Sequence, residues 1–417
     1  MEDETLEIPN YFICPISLQI MKDPVTTITG ITYDRDSIQY WLTTSDEAQC
    51  PVTKQPLTKD TNLTPNHTLR RLIQAWCVMN ANHGVDRIPT PKQPTTKSHV
   101  MKLHRDLKSP ELYKVSLDAL FVIANENEIS RRCLNEAGTT GLMISLITKL
   151  SKESHHTGNN NTECLGQALN ILHLIWLNFP EKKRIAKSKD DHEFIDSLLW
   201  ILGSDDNMIK EDAIVEVQTR AILVLKMVIE FSVVSTLERL KVEFFKLLVN
   251  LIRKRTSPQA MKAALRILID MCPWGRNRMK IVEAGTVFEL VELEMNGVEK
   301  NMSELVFNLL AHLCSCADGR AQLIKHAGGI AVVAKRMFRV SPGTDERAVH
   351  ILTLIGRFSA TEQVVNEMMR VGAVSKLCMA LQMDCGPCMK NKAREILKLH
   401  HDVWNNSPCM PLYLITR

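Results

Sequence analysis

Residues 12–25, FICPISLQIMKDPV, and residues 49–57, QCPVTKQPL, decide how the N-terminal part of this chain is read. Cys14 and Cys50 each precede a proline in apolar surroundings, 36 positions apart. Neither has a second cysteine two to four residues away, so neither loop carries the paired thiolates of a structural zinc site. Something other than metal has to hold two such loops. Around them the pattern is loop, short hairpin, helix, loop, helix. VTTITGITY (25–33) sets β-branched residues about Gly30, as a tight hairpin does. Asp34 is placed to cap the next helix, whose Ile38 and Leu42 share a face at i and i+4. LTPNHTLRRLIQAW (63–76) has Asn66 as its cap, and Leu69, Leu72, Ile73 and Trp76 as its apolar stripe.

Beyond residue 100 the chain repeats itself. A short string recurs as ALFVI at Ala119, ALNIL at Ala168, AILVL at Ala221, ALRIL at Ala264, VFNLL at Val306, AVHIL at Ala348 and AREIL at Ala393. The spacings are 49, 53, 43, 42, 42 and 45, and the two long ones hold the polar insertions SKESHHTGNNNTE and GSDDNMIKEDA. A second string ends at Gly138, Gly285, Gly328 and Gly372, between apolar runs. Glycine there predicts a sharp break between helices with φ above zero. A period near 42 with helix–glycine–helix units predicts an α-solenoid in which stacking, not any single unit, makes the core. The third and seventh positions of the first string read Asn170, Leu223, Arg266, Asn308, His350 and Leu174, Met227, Asp270, His312, Leu354. They form no ladder of Trp and Asn, the pattern that reads nuclear-import peptides. HGVDRIPTPKQPTTKS (83–98) has three prolines and no apolar period, so it reads as a linker.

Composition narrows the function. Of 417 residues 45% are apolar and 24% charged, an ordinary globular balance, and aromatics are only 5%. Net charge is +4; residues 1–80, with 6 Lys/Arg and 10 Asp/Glu, carry −4 of it. That is no dense basic stripe, which argues against nucleic acid as a partner. RKR at 253–255 reads as a solvated helix end. The N-terminus lacks a signal-peptide pattern, and no run approaches the ~18 apolar residues of a membrane span. The expectation is a cytoplasmic protein, with the nucleus left open. DCGPCMK has the spacing of a redox motif at Cys385 and Cys388, but no strand precedes it, so a Gly-Pro turn between helices is expected.

The strings IPxxFxCPI, MxDPVT, GxTYxR, WL, CPxT and LxPNxxLRxLI occur in order over residues 8–78. They resemble a U-box, which shares the RING fold without its zinc. The array over roughly 105–405 resembles armadillo repeats. Together they are similar to the plant U-box/armadillo ubiquitin ligases, in particular the subgroup restraining immune and drought responses. The resemblance implies a mainly α protein: a small α+β U-box at 8–82, a linker at 83–104, an armadillo-type α-solenoid at 105–405 and a tail at 406–417. It implies a ligase without a covalent ubiquitin intermediate, needing no metal or other cofactor. The box docks a ubiquitin-loaded conjugating enzyme and ubiquitin passes to a lysine of a substrate held by the repeats, marking it for degradation. Contacts to the conjugating enzyme fall on Ile16, Leu18, Trp41 and Pro51, and a clamp touching ubiquitin as well falls on Lys54. Cys14, Asp23, Tyr33, Asp34, Arg35 and Asn66 hold the box together, with Thr53 also at hand. Self-association is left open. The alternative reading is a non-catalytic armadillo adaptor with a degenerate box.

Overall fold

The computed structural model describes residues 8–44, 49–57, 63–80, 97–157, 162–176, 190–204, 211–231, 237 and 240–405. They divide between two compact units, residues 1–94 and 95–417. The linker stretch up to 96, residues 158–161 and 205–210 of the two polar insertions, and the tail from 406 lie outside the described residues.

The first unit is built on a three-stranded antiparallel sheet of order β2-β1-β3, with β1 Pro24–Thr26, β2 Thr32–Asp34 and β3 Thr64–Pro65. The hairpin forms where the β-branched run predicts it. Val25 pairs with Tyr33, and Gly30 turns the chain at φ +80°, a conformation open to glycine without steric cost. Helix α1, Arg35–Thr44, follows at once and buries Ile38 and Leu42. Helix α2, His67–Met79, starts at Asn66, whose Oδ1 accepts from the Leu69 amide at 3.0 Å. Its buried stripe differs from the expectation in one residue. Ile73 and Cys77 are buried and Leu69 and Trp76 partly so, whereas Leu72 is exposed. The stripe advances by i+4 and i+7 from Leu69, and Leu72 falls just off it. The unit's core joins Phe12, Cys14, Met21, Val25, Tyr33, Cys50 and Leu57 to these helices, and the Phe12 ring meets Trp76 edge-on at 5.9 Å.

The second unit is two rows of helices. The recurrent alanine string lies in the long row: α4 Tyr113–Glu126, α7 Thr162–Trp176, α9 Glu211–Phe231, α11 Pro258–Met271, α14 Lys300–Cys314, α17 Pro342–Phe358 and α20 Pro387–Leu399. Each packs on the next, giving a ladder. A second row, α6 Thr139–Thr157, α8 Asp190–Gly203, α10 Val242–Lys254, α13 Thr286–Met295, α16 Gly329–Arg336 and α19 Ala373–Gln382, stacks beside it in the same way. Short helices join the rows: α5 Glu128–Glu136, α12 Gly275–Glu283, α15 Ala317–Lys325 and α18 Glu362–Arg370. The small alanines at 168, 221, 264, 348 and 393 are all buried, which lets neighbouring ladder helices approach closely. A helix α3, Lys97–Asp106, occupies part of the stretch read as linker, and its Val100 and Leu103 belong to the array core. The last described helix, α21 His401–Trp404, buries Trp404.

The period also governs hydrogen bonds. Asn135 Nδ2 donates to the Ile175 carbonyl at 2.9 Å, Asn277 Nδ2 to Leu237 at 3.0 Å, and Gln322 Nε2 to Val282 at 2.9 Å; each pair is 40 residues apart. Trp404 Nε1 reaches the Val365 carbonyl, 39 residues away, at 3.1 Å. One repeat thus donates side-chain hydrogen bonds to main-chain carbonyls of its neighbour.

Three of the four predicted glycine breaks are left-handed, at Gly138, Gly285 and Gly372. Gly328 is not: its φ is −96°. A Cβ there would stand 2.7 Å from Met295 Sδ, the flexible end of an exposed side chain, so what sets this glycine apart is a neighbour that has to give way and not its φ. Cys385 and Gly386 lie between α19 and α20, and Pro387 and Cys388 open α20. Cys385 Sγ donates to the Ala380 carbonyl at 3.2 Å, and both thiols are free.

Candidate functional site

The two Cys-Pro loops have the same backbone design. In loop one the Cys14 amide donates to the Gln19 carbonyl at 2.8 Å and the Leu18 amide to the Cys14 carbonyl at 2.9 Å. In loop two Cys50 donates to Gln55 at 2.8 Å and Lys54 to Cys50 at 2.9 Å. Isolated bridges close both, Ile13 with Ile20 and Gln49 with Pro56. The underlying strings are CPISLQ (14–19) and CPVTKQ (50–55), an internal repeat legible in the sequence but missed when the loops are read one at a time.

Each loop wraps its own thiol. Cys14 Sγ accepts from the Asp34 amide at 3.3 Å. Cys50 Sγ is surrounded by the Tyr33 hydroxyl at 3.0 Å, Thr29 Oγ1 at 3.4 Å and the Thr53 amide at 3.4 Å. Burial pushes the Cys50 thiol up, but donors from Thr29, Thr53 and Tyr33 together outweigh it and bring it down to about 6. Cys14 is lowered in the same way: burial opposes, and the amides of Ser17, Asp34 and Ile16 prevail. Burial, with Cys50 beside it, pushes the Tyr33 hydroxyl up, so it stays a proton donor. Donors converge on these sulfurs much as ligands converge on a metal. Both thiols are fully buried, so neither is presented to a substrate as a nucleophile.

A second set of bonds ties loop one to the helices. Asp23 receives Arg35 Nε at 2.6 Å and Arg70 at 3.2 Å. Asp34 departs from its expected role as a helix cap. Its Oδ2 accepts from the Lys22 and Asp23 amides, at 2.6 and 3.1 Å, and holds loop one instead. The Asn66 amide donates to the Pro24 carbonyl at 2.9 Å. Bonds with a charged partner contribute roughly 1.5–3 kcal/mol each, so Asp23 with its two arginines and Asp34 with its two amides are the main polar ties of loop one. Arg70 is the arginine of the LxPNxxLRxLI string, in which Arg71 is a free position, but the string does not show which group it pairs with.

What remains is the face these ties present. Leu18 is 76% exposed, with φ +56°. Lys54, at the matching place in loop two, has φ +59° and is also exposed. Left-handed backbone costs a non-glycine residue about 1–2 kcal/mol, and such strain tends to collect at functional tips. Ile16 and Trp41 are half-buried against the core. Trp41 Nε1 donates to the Gln49 carbonyl at 2.9 Å, so the indole pins α1 to the entry of loop two, next to Cys50 and the half-buried Pro51. The face therefore carries an apolar tip, a cationic tip and a pinned indole. It offers docking rather than covalent chemistry.

Residues 8–82 match the model of the U-box domain, and residues 99–417 that of the plant U-box protein ARM repeat region. Among curated relatives, E3 ubiquitin-protein ligase PUB23 of Arabidopsis thaliana is 43% identical over 99% of this chain and 97% of its own length. PUB24 and PUB22 of the same plant, also E3 ubiquitin-protein ligases, are 41% and 40% identical, with 97% and 98% of their lengths covered. Among solved structures an engineered protein superposes with a TM-score of 0.52 at 21% identity, over 73% of this chain and 68% of that one. A structure described under a phosphorylation switch between cadherin and β-catenin gives 0.50 at 12%, over 80% and 66%. These two likenesses bear on the fold alone. With a two-loop box tied by hydrogen bonds and ion pairs, a two-row helical array and relatives alike from end to end, the chain belongs to the plant U-box proteins with armadillo repeats.

Proposed function

We propose that this chain is a ubiquitin-protein ligase whose box docks a ubiquitin-loaded conjugating enzyme while its array holds the protein to be modified. The observation that carries the reading is the strained, exposed pair Leu18 and Lys54 at equivalent tips of the two loops. Leu18 supplies an apolar anchor, with Ile16, Trp41 and Pro51 around it, for a small transient interface. Lys54 supplies a positive charge where conjugating enzyme and ubiquitin meet. The chain contributes proximity and a restrained thioester-linked ubiquitin; the acceptor amine of the substrate makes the new bond. The ladder of long helices is the surface for that substrate. The same reading places the protein in the cytoplasm, with a nuclear pool also open, in plant defence and stress signalling.

The test is reconstitution: purified full chain, activating enzyme, a panel of conjugating enzymes, ubiquitin and ATP. Polyubiquitin chains on the protein itself are expected. Residues 1–94 alone should still build chains, and residues 95–417 alone should build none. Silence with every conjugating enzyme, from a folded protein, would favour the adaptor reading.

A further inference from the structure

We propose that the C-terminal half of the long-helix ladder is a receptor for an acidic segment of a partner protein. This rests on reading the array as the substrate's surface, and names the chemistry of what it takes.

Side-chain charge is sorted along the ladder. Helices α4, α7 and α9 carry −1, −1 and −2; α11 carries +1, α14 and α17 are neutral before their histidines are counted, and α20 carries +3. On the positive half lies a group of basic side chains from four elements. The charges of Arg278 of α12 and Arg347 of α17 act on His312 of α14, and α14 packs against both of those helices. Lys392 of α20 and His312 face His350 of α17. No carboxylate acts on either imidazole among the described residues. Glu346, one turn before His350 on α17, is exposed, and two other ladder carboxylates are engaged elsewhere. Asp270, at the matching place on α11, lies among Lys226, Glu230 and Arg266, and Glu395 of α20 pairs with Arg357 at 3.4 Å.

Arg347 and Lys392 make no ion pair among the described residues, and Arg278 donates only to the Cys272 carbonyl, at 3.1 Å. Elsewhere the array pairs its cations across helices: Lys114 with Glu163 at 2.8 Å, Arg253 with Glu289 at 2.7 Å, Arg336 with Glu294 at 2.7 Å. Leaving like charges together unpaired disfavours the empty protein. A ligand carboxylate relieves it through charge-assisted hydrogen bonds. Burial and then these cations push both histidines down, so an arriving anion draws protons onto them.

Beside the cluster, Trp274, one turn before Arg278, helps line a hollow of about 600 Å³ with Ile229, Ile269 and Leu305, and the carboxylates of Glu230 and Asp270 in its lining are matched there by Lys226 and Arg266. An apolar side chain flanking the acidic run fits there. A nucleic-acid backbone fits less well, because its charge is continuous and the acidic half of the ladder repels it.

The experiment measures fluorescence anisotropy of a labelled peptide of alternating glutamate and serine with one central leucine, titrated with the full chain. Its lysine counterpart and a single-stranded RNA of equal charge serve as comparisons. Tenfold or greater preference for the glutamate peptide is expected, with affinity falling as pH rises from 6 to 8. Arg347→Glu with Lys392→Glu should weaken binding at least tenfold at an unchanged melting temperature. His312→Gln with His350→Gln should flatten the pH dependence. Equal binding of the lysine peptide, equal or tighter binding of RNA, or indifference to the charge reversals overturns the proposal. Fusing the glutamate peptide to a lysine-bearing carrier separates the two readings. A carrier bound but left unmodified sinks the substrate-receptor reading and leaves the acidic site standing. Absent binding sinks the acidic site while self-modification through the box continues.

Discussion

Leu18 separates what the fold needs from what docking needs. Its backbone is left-handed and its side chain is almost wholly in solvent. Leu18→Gly should therefore leave the melting temperature unchanged or raise it, since glycine takes that φ freely, while chain formation drops at least tenfold. Loss of folding in the variant would mean the leucine is structural. The buried thiols make a different prediction. With Cys50 near 6 in the folded box and near 9 when exposed, the unfolded chain binds more protons between those pH values. Stability of the 1–94 fragment should then rise with pH through that window and fall as pH drops toward 6. Cys14, lowered too, works in the same direction. Melting Cys50→Ser, which keeps an acceptor that does not titrate, should give a flatter profile; an identical slope would show that the thiol stays protonated. Asp23, Tyr33, Asp34 and Asn66 could be named from the sequence as polar residues a metal-free box must use. Their partners could not. Arg70 meets Asp23 across 47 residues, and only the sheet between them brings the two together.

At the level of elements, the helix–glycine–helix break was legible because three of four glycines do need φ above zero. Gly328 repeats the letter without the geometry, and one sequence cannot reveal that, because crowding by Met295 comes from the neighbouring repeat. The two kinds of glycine should respond differently to replacement. Gly285 has open space where a Cβ would go, so Gly285→Ala should cost about 1–2 kcal/mol from strain alone, and Gly285→Asn less, since asparagine tolerates the left-handed region. At Gly328 asparagine should be no better than alanine, and trimming Met295 to alanine in the same chain should recover much of the loss. Urea melts of the four single variants, with the Met295 pairing, check this. Equal rescue by asparagine at both sites would contradict it. The helix α3 inside the expected linker shows the converse limit. KSHVMKLHRD has too few apolar residues to announce a helix, and burial of Val100 and Leu103 against the array supplies what local pattern lacks.

Across the whole molecule, the box and the array each have their own core, so damage should stay where it is made. Trp404 is fully buried at the last described turn of the array, with its indole N–H on the Val365 carbonyl. Trp404→Ala should cost about 3–5 kcal/mol there, lowering the array's transition while the transition of the box stays in place. Calorimetry of the full chain resolves the two. A box transition that moves with it would show the units to be energetically coupled. Fold class was legible at this scale because period and order survive in the letters. The charge sorting along the ladder was not, since it appears only when helices 42 residues apart are set side by side.

The side-chain bonds that cross one repeat length have a consequence for how such a gene can change. Asn277, Gln322 and Trp404 each reach back 39 or 40 residues to a carbonyl, and Asn135 reaches 40 residues forward. Loss of a few codons inside a helix slips every such reach downstream within its repeat and orphans both ends. In-frame loss or duplication of one full repeat restores the same kind of donor to the same kind of acceptor. Unequal recombination between repeats is thus a gentler event for this protein than a small deletion, and array length can drift between descendants while the architecture persists.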